Sequence, residues 1–137
     1  MRILGFQKLW DKLTKGWEFT TFRLPRADKD WQVNELVQVV LKPRSKKKVK
    51  LGTAIIVAIE PREFDKRQSP IAPCVTDKEA ILDGFNGKED MYNWMTKTHG
   101  HDDRFIFNPM NKLTLKWVTI KPEYYDIIRR TNNVRNS

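Results

Sequence analysis

Leu51-Gly52-Thr53-Ala54-Ile55-Ile56-Val57-Ala58-Ile59 is the stretch that decides the class of fold. Read with a period of two, Leu51, Thr53, Ile55, Val57 and Ile59 fall on one side and Ala54, Ile56 and Ala58 on the other. Both sides are apolar, which predicts a central strand buried on both faces. Three further strands are predicted around it. Leu36 to Leu41 is rich in β-branched residues, and in Leu113 to Ile120 the residues Leu113, Leu115 and Trp117 alternate with Thr114, Lys116 and Val118. In Phe19 to Leu24, Thr20, Phe22 and Leu24 alternate with Phe19, Thr21 and Arg23, predicting a core face and a polar, functional face.

Helical signals separate these strands. Leu9 and Leu13, beside Phe6 and Trp10, predict a short helix over Phe6 to Lys15, with Gly16 as a left-handed stop. Thr76-Asp77-Lys78-Glu79 has the form of a capping box, opening a helix that stops near Gly84. Met91, Trp94 and Met95 recur at helical spacing and place another helix from Lys88 to Thr98, ended by Gly100. The element order fits an α+β class, a small curved mixed sheet or open β-barrel flanked by short helices. No Gly-rich phosphate loop stands at a strand-to-helix turn.

The chain has 137 residues, enough for one domain, expected over 1–125 with a basic polar tail over 126–137 that frays. Its 26 basic against 17 acidic side chains leave a net charge of +9, a surplus that suits a polyanion such as RNA or single-stranded nucleic acid, or an acidic protein surface. A single cysteine, Cys74, excludes an internal disulfide framework and fits a reducing compartment. With no apolar run of membrane length and no signal-peptide core, the expectation is a soluble cytoplasmic monomer without a membrane partner.

Several residues stand out chemically. Lys42 to Lys50 contains Lys46, Lys47 and Lys48 and no acid, so it reads either as a phosphate-gripping hairpin tip or as a solubilising one. Trp17, Trp31 and Phe19 interleave with Lys15, Arg23, Arg26 and Lys29, a pattern suited to stacking on unpaired bases while cations hold the backbone. Phe19, Thr21 and Arg23 on one strand face offer stacking, a hydroxyl and a fork of donors. Asp83, at a helix end where the dipole disfavours a carboxylate, is placed to accept from a base edge. His99-Gly100-His101-Asp102-Asp103 has ligand-type side chains, but no partner cluster completes a metal site, and it reads as a polar loop; neither metal nor cofactor is implied.

The stretch Leu13-Thr14-Lys15-Gly16-Trp17-Glu18-Phe19-Thr20-Thr21-Phe22-Arg23 resembles the signature of ASCH domains of the PUA-like superfamily, G-x-K-T-x-T-x-R. Gly16, Thr21 and Arg23 match it, whereas Glu18 and Phe19 stand at the positions of its Lys and first Thr. Val33 to Val39 is similar to the family's next strand without its Gly-Asp, Leu51 to Val57 to the following one, and Thr76 to Phe85 to its acidic helix with the Asp-Gly-Phe ending. The resemblance spans most of residues 3 to 121. It implies a β-barrel-like fold with a cleft for RNA or nucleosides, lined here by Trp17, Glu18, Phe19, Thr21, Arg23, Arg26 and Phe85.

Some members of that family are amidohydrolases of N4-acetylcytidine that use Lys, Thr and an acidic residue, and others are linked to RNA cleavage. Thr21 and Asp83 match two of the three positions; Glu18 replaces the Lys, leaving Lys15 as the nearest substitute cation. Three functions follow as expectations. The first is a nucleic-acid binder with a nucleotide-accepting cleft. The second is a hydrolase of a modified nucleoside or of RNA using Thr21, Lys15 and Asp83. The third is a basic adaptor for an acidic protein.

Overall fold

The computed structural model describes residues 1–64, 66 and 70–124, so the expected tail over 126–137 lies outside the described residues. The strands are β1 (Arg2–Phe6), β2 (Glu18–Arg23), β3 (Leu36–Leu41), β4 (Val49–Arg62) and β5 (Met110–Ile120). The helices are α1 (Asp77–Asp83), α2 (Lys88–His99) and α3 (Asp103–Phe107), with a 3-10 turn at Asp11–Leu13. The strands form one mixed five-stranded sheet in the order β1-β3-β4-β5-β2. The fold is therefore α+β, with a small mixed sheet and short helices, as the sequence led one to expect.

The described chain gathers into two compact units, each assembled from separate stretches: 1–19, 32–57 and 114 onward in the first, 20–31 and 58–113 in the second. The first unit is built on strands. β1 pairs parallel to β3 from Arg2–Val37 to Phe6–Leu41, and β3 pairs antiparallel to β4 with a bulge between Val39 and Val40. The extra residue is Leu51 on β4, between the partners of Val39 (Gly52) and Val40 (Lys50), and it is buried. Leu4, Leu13, Val37, Val39, Leu51, Ile56 and Leu115 pack its core at essentially zero exposure. Gly52 is fixed by crowding, since a Cβ at that position would collide with the Thr119 carbonyl oxygen.

Three expectations are corrected in this unit. Phe6 to Lys15 is not a helix: Phe6 ends β1, its carbonyl accepts the Lys42 N–H at 2.7 Å, and only one 3-10 turn follows. Leu9 is exposed and only Leu13 is buried, so the i, i+4 pair makes no apolar stripe. Among the glycines, Gly84 but not Gly16 has a positive φ. Finally, β4 alternates: Ala54 and Ile56 are buried while Thr53, Ile55 and Val57 are half-buried, so this central strand has one covered face rather than two.

The second unit holds α1, α2 and α3. Thr76 caps α1 as the sequence predicts, its hydroxyl accepting from the Glu79 N–H at 3.1 Å while the Glu79 carboxylate accepts from the Thr76 N–H at 3.1 Å. Gly84 closes the helix at φ 112°, a left-handed conformation that suits glycine. Phe22, Phe64, Val75, Ala80, Met91, Met95 and Met110 form the core, with Leu24, Phe85, Tyr92 and Phe105 packed against it. Glu79 also accepts from Arg62 Nε at 3.0 Å and Lys112 Nζ at 2.8 Å, joining α1 to the ends of β4 and β5.

Candidate functional site

β2 carries Thr20, Thr21 and Arg23 in the second unit, and the end of α1 brings Asp83 to the same place. The Thr20 hydroxyl donates to Asp83 Oδ1 at 3.3 Å, and Arg23 Nε donates to the Thr21 hydroxyl oxygen at 3.1 Å. Asp83 is only 3% exposed, so a carboxylate at a helix C-terminus is also withdrawn from water. Both circumstances disfavour its charge. Burial pulls the Arg23 guanidinium down to about 10, opposed by the negative charge of Asp83, so Arg23 stays a cation near neutrality.

α2 and α3 complete the surroundings. Phe85 packs on Trp94 with ring centroids 5.7 Å apart, Trp94 meets His99 edge-on at 6.3 Å, and His99 faces Phe105 at 6.5 Å. Trp94 is 41% exposed, so this aromatic row opens to solvent. Desolvation lowers the His99 pKa from its ordinary value; Asp102 opposes that, and the cations Arg23 and Arg104 add to it. Asp102 is bound by Arg104 through its side chain and its N–H, which pull the carboxylate down to about 2. Arg104 also donates to the Pro25 carbonyl at 3.0 Å, pinning α3 to the chain after β2.

The sequence-derived set is thus divided. Thr21, Arg23 and Asp83 interact in the second unit, which also holds Phe85, whereas Lys15, Trp17, Glu18, Phe19 and the Lys46 to Lys48 tip belong to the first. Phe19 must be corrected: it is 4% exposed and wedged against Trp117 at 5.1 Å and Phe6 at 6.4 Å, so it is a core ring with no face to offer a base. Its strand face is indeed shared with Thr21, but that face is buried. Trp31 is also buried, under the Arg26 guanidinium at 5.2 Å, while Arg26 is itself paired with Asp28 at 3.0 Å. Trp17, Glu18, Lys15, Lys46, Lys47 and Lys48 are exposed.

Hydroxyl chemistry is constrained by these bonds. Thr21 accepts from the Arg23 guanidinium, which as a cation cannot be the base to which a nucleophilic hydroxyl gives its proton. It is Thr20 whose hydroxyl points at a carboxylate. Trp94, His99 and Arg104 are additions that the sequence-derived set lacks. The Asp102 N-cap ahead of Arg104, Phe105 and Ile106 is the local signal that α3 folds the 99–103 stretch back as more than a polar loop. Among the described residues, no group of three or more His, Cys, Asp or Glu is placed to hold a metal ion, and no helix is long and apolar enough to cross a membrane.

Comparison with family models, with curated proteins and with solved structures gives no match.

Proposed function

We propose that the protein is a binding module for RNA or single-stranded nucleic acid, with the Thr20–Thr21–Arg23–Asp83 cluster and the Phe85–Trp94–His99 row as its nucleotide-accepting cleft. The observation that carries this reading is an exposed aromatic surface together with a buried carboxylate and a desolvated guanidinium that feel each other's charge. Trp94 offers a face to a base, His99 beside it lies in the field of Arg23, and the half-buried Arg23 and buried Asp83 offer a donor fork and an acceptor. The net charge of +9 and the exposed Lys46, Lys47 and Lys48 supply the long-range attraction a polyanion requires. The resemblance to ASCH domains points to the same ligand class, and that family assignment is part of the proposal.

The amidohydrolase alternative is weaker on chemical grounds, because Glu18 stands in place of the family's cation and the partner of Thr21, the Arg23 guanidinium, cannot serve as a base. A hydrolytic route through this cleft would have to use Thr20 with Asp83 as its base. The test is a titration of single-stranded RNA into the wild type and Trp94→Ala. Base stacking contributes about 1–3 kcal/mol per base, so the variant should bind roughly tenfold more weakly while unfolding at the same temperature. Equal affinities would reject this cleft.

A further inference from the structure

The net charge of +9 is not spread evenly. Residues 20–31 and 58–113, which make up the second unit, hold eleven basic and twelve acidic side chains, so the whole surplus belongs to the stretches of the first. Within the first unit it gathers at one end of the sheet. β1 and β3 end side by side at Phe6 and Leu41, and Leu41 pairs with Val49, where β4 begins. The turn between β3 and β4 is held against β1: the Lys42 N–H donates to the Phe6 carbonyl, and a Cβ at Gly5 would lie 2.6 Å from Pro43 Cγ. β1 and β2 are the two edges of the sheet, and residues 7–17 join them. The Trp117 N–H donates to the Trp17 carbonyl at 2.8 Å and the Lys121 N–H to that of Leu51 at 2.8 Å, which brings the end of β5 to the same place.

Residues 7–18 and 42–50 together hold nine basic side chains and two acidic ones, Asp11 and Glu18. Lys8, Lys15 and Lys121 are exposed, as are the six cations of 42–50, Lys42, Arg44, Lys46, Lys47, Lys48 and Lys50. Among the described residues, none of these nine has a carboxylate partner. In the second unit, by contrast, Arg62, Lys66, Arg104 and Lys112 each lie within 3.1 Å of a carboxylate.

We propose that this end of the first unit is a platform for the phosphate backbone of a nucleic-acid duplex, bound without regard to base sequence. Eight of the nine exposed cations are lysines, compact point charges that neutralise phosphate but lack the planar fork of arginine. Trp17 apart, the rings here are covered: Phe6 is buried, the Lys8 ammonium lies 3.9 Å from the Trp10 ring centroid, and that of Lys12 lies 5.5 Å from the Phe6 centroid. Stacking on unpaired bases needs open ring faces. A duplex keeps its bases stacked inside and carries one charge per about 1.7 Å of axis, so a dense set of unpaired cations is what it requires.

The inference rests on the nucleic-acid reading and adds to it a second site, in the other unit from the cleft. It is tested by fluorescence anisotropy at several salt concentrations, with two DNA duplexes of equal length and unrelated sequence and an RNA duplex matching one of them. The two DNA duplexes should bind alike, with log affinity falling against log salt at a slope of about −3.6 or steeper, the value for four phosphate contacts. Lys8→Gln with Lys15→Gln should flatten that slope by about 1.8, and so should Lys46→Gln with Lys47→Gln; all four side chains are exposed, so the fold is kept. Binding of the RNA or the DNA duplex supports the platform, and the tighter of the two names the source. Binding of neither, a strong preference between the two DNA sequences, or a slope that the Lys8 and Lys15 changes leave alone would overturn it. Displacement of the duplex by polyglutamate as readily as by unlabelled duplex would overturn it too, and would assign this end to an acidic protein.

Trp94→Ala separates the two sites. Loss of single-strand binding with duplex binding unchanged supports both. Duplex binding by a wild type that binds no single strand keeps the platform and overturns the cleft; single-strand binding without duplex binding does the reverse.

Discussion

The two units differ most in what they bury. In the first, Leu4, Phe6, Leu13, Phe19, Val37, Leu51, Ile56 and Trp117 form an apolar core, and its partly buried Arg2–Glu35 ion pair lies outside that core. In the second lie all three of the buried polar or charged side chains among the described residues, Thr21, Glu63 and Asp83. Burying charge costs several kcal/mol per ion, and apolar replacements of similar volume are often at least as stable. Under the proposed function, the second unit keeps its two buried carboxylates for a ligand. The first unit is arranged for stability.

The largest effect should come from breaking the framework. Gly52→Val places side-chain atoms on the Thr119 carbonyl, and the backbone on both sides must move; a loss of about 3 kcal/mol or more is expected. Hydrogen exchange should show protection lost throughout the first unit. Asp83→Leu comes next, because it leaves Arg23 buried without its counter-charge; a loss of about 3 kcal/mol in denaturant unfolding is expected.

Glu79→Ala should destabilise by about 2 kcal/mol, since it removes the capping box and the anchor shared by Arg62 and Lys112. Its pH signature is specific. Burial raises the Glu79 pKa, but bonds from Lys112, the Thr76 N–H and Arg62 outweigh it and bring the group to about 2. With the folded value below the unfolded one, the contribution is complete above about pH 4.5 and is lost as pH falls toward 2. An acid-unfolding curve of Glu79→Gln should therefore be flatter in that window.

Smaller still is the effect of His99. Its folded pKa is depressed, so the unfolded chain binds the proton more readily and stability declines as pH falls below about 6.5. His99→Gln should remove that slope, read as unfolding temperature against pH. Smallest in stability is the triple change of Lys46, Lys47 and Lys48 to Gln at the exposed tip, expected within about 0.5 kcal/mol of wild type. If the tip meets phosphates, the slope of log affinity against log salt falls by about 0.7 for each phosphate that the variant no longer neutralises on a single strand.

What is legible in the sequence is local. β3 falls on Leu36–Leu41 as its β-branched run predicts, and Thr76 and Glu79 announce α1 because a capping box needs only four consecutive residues. β1 is not legible: Arg2–Phe6 sets Ile3 and Leu4 side by side and includes Gly5, which blurs a five-residue alternation. On β2 alternation does not separate a core face from a polar one, because Phe19, Thr21 and Phe22 are all buried while Thr20 bonds Asp83 and Arg23 bonds Thr21. Trp94 shares helical spacing with Met91 and Met95, yet the two methionines are buried and the tryptophan faces solvent. The convergence of Arg23, Asp83 and His99 joins segments far apart in the chain, which no local period encodes.

The central claim is that the second unit keeps its buried charge for a ligand, and the double variant Arg23→Met with Asp83→Leu tests it directly. Stability and single-stranded RNA affinity are measured on the same sample. Unfolding free energy equal to wild type or higher, with affinity reduced at least tenfold, is the result expected when an ion pair is replaced by apolar side chains of similar volume in a binding site. A double variant that is several kcal/mol less stable yet binds RNA as the wild type does would contradict it, and would make Arg23 and Asp83 a structural pair.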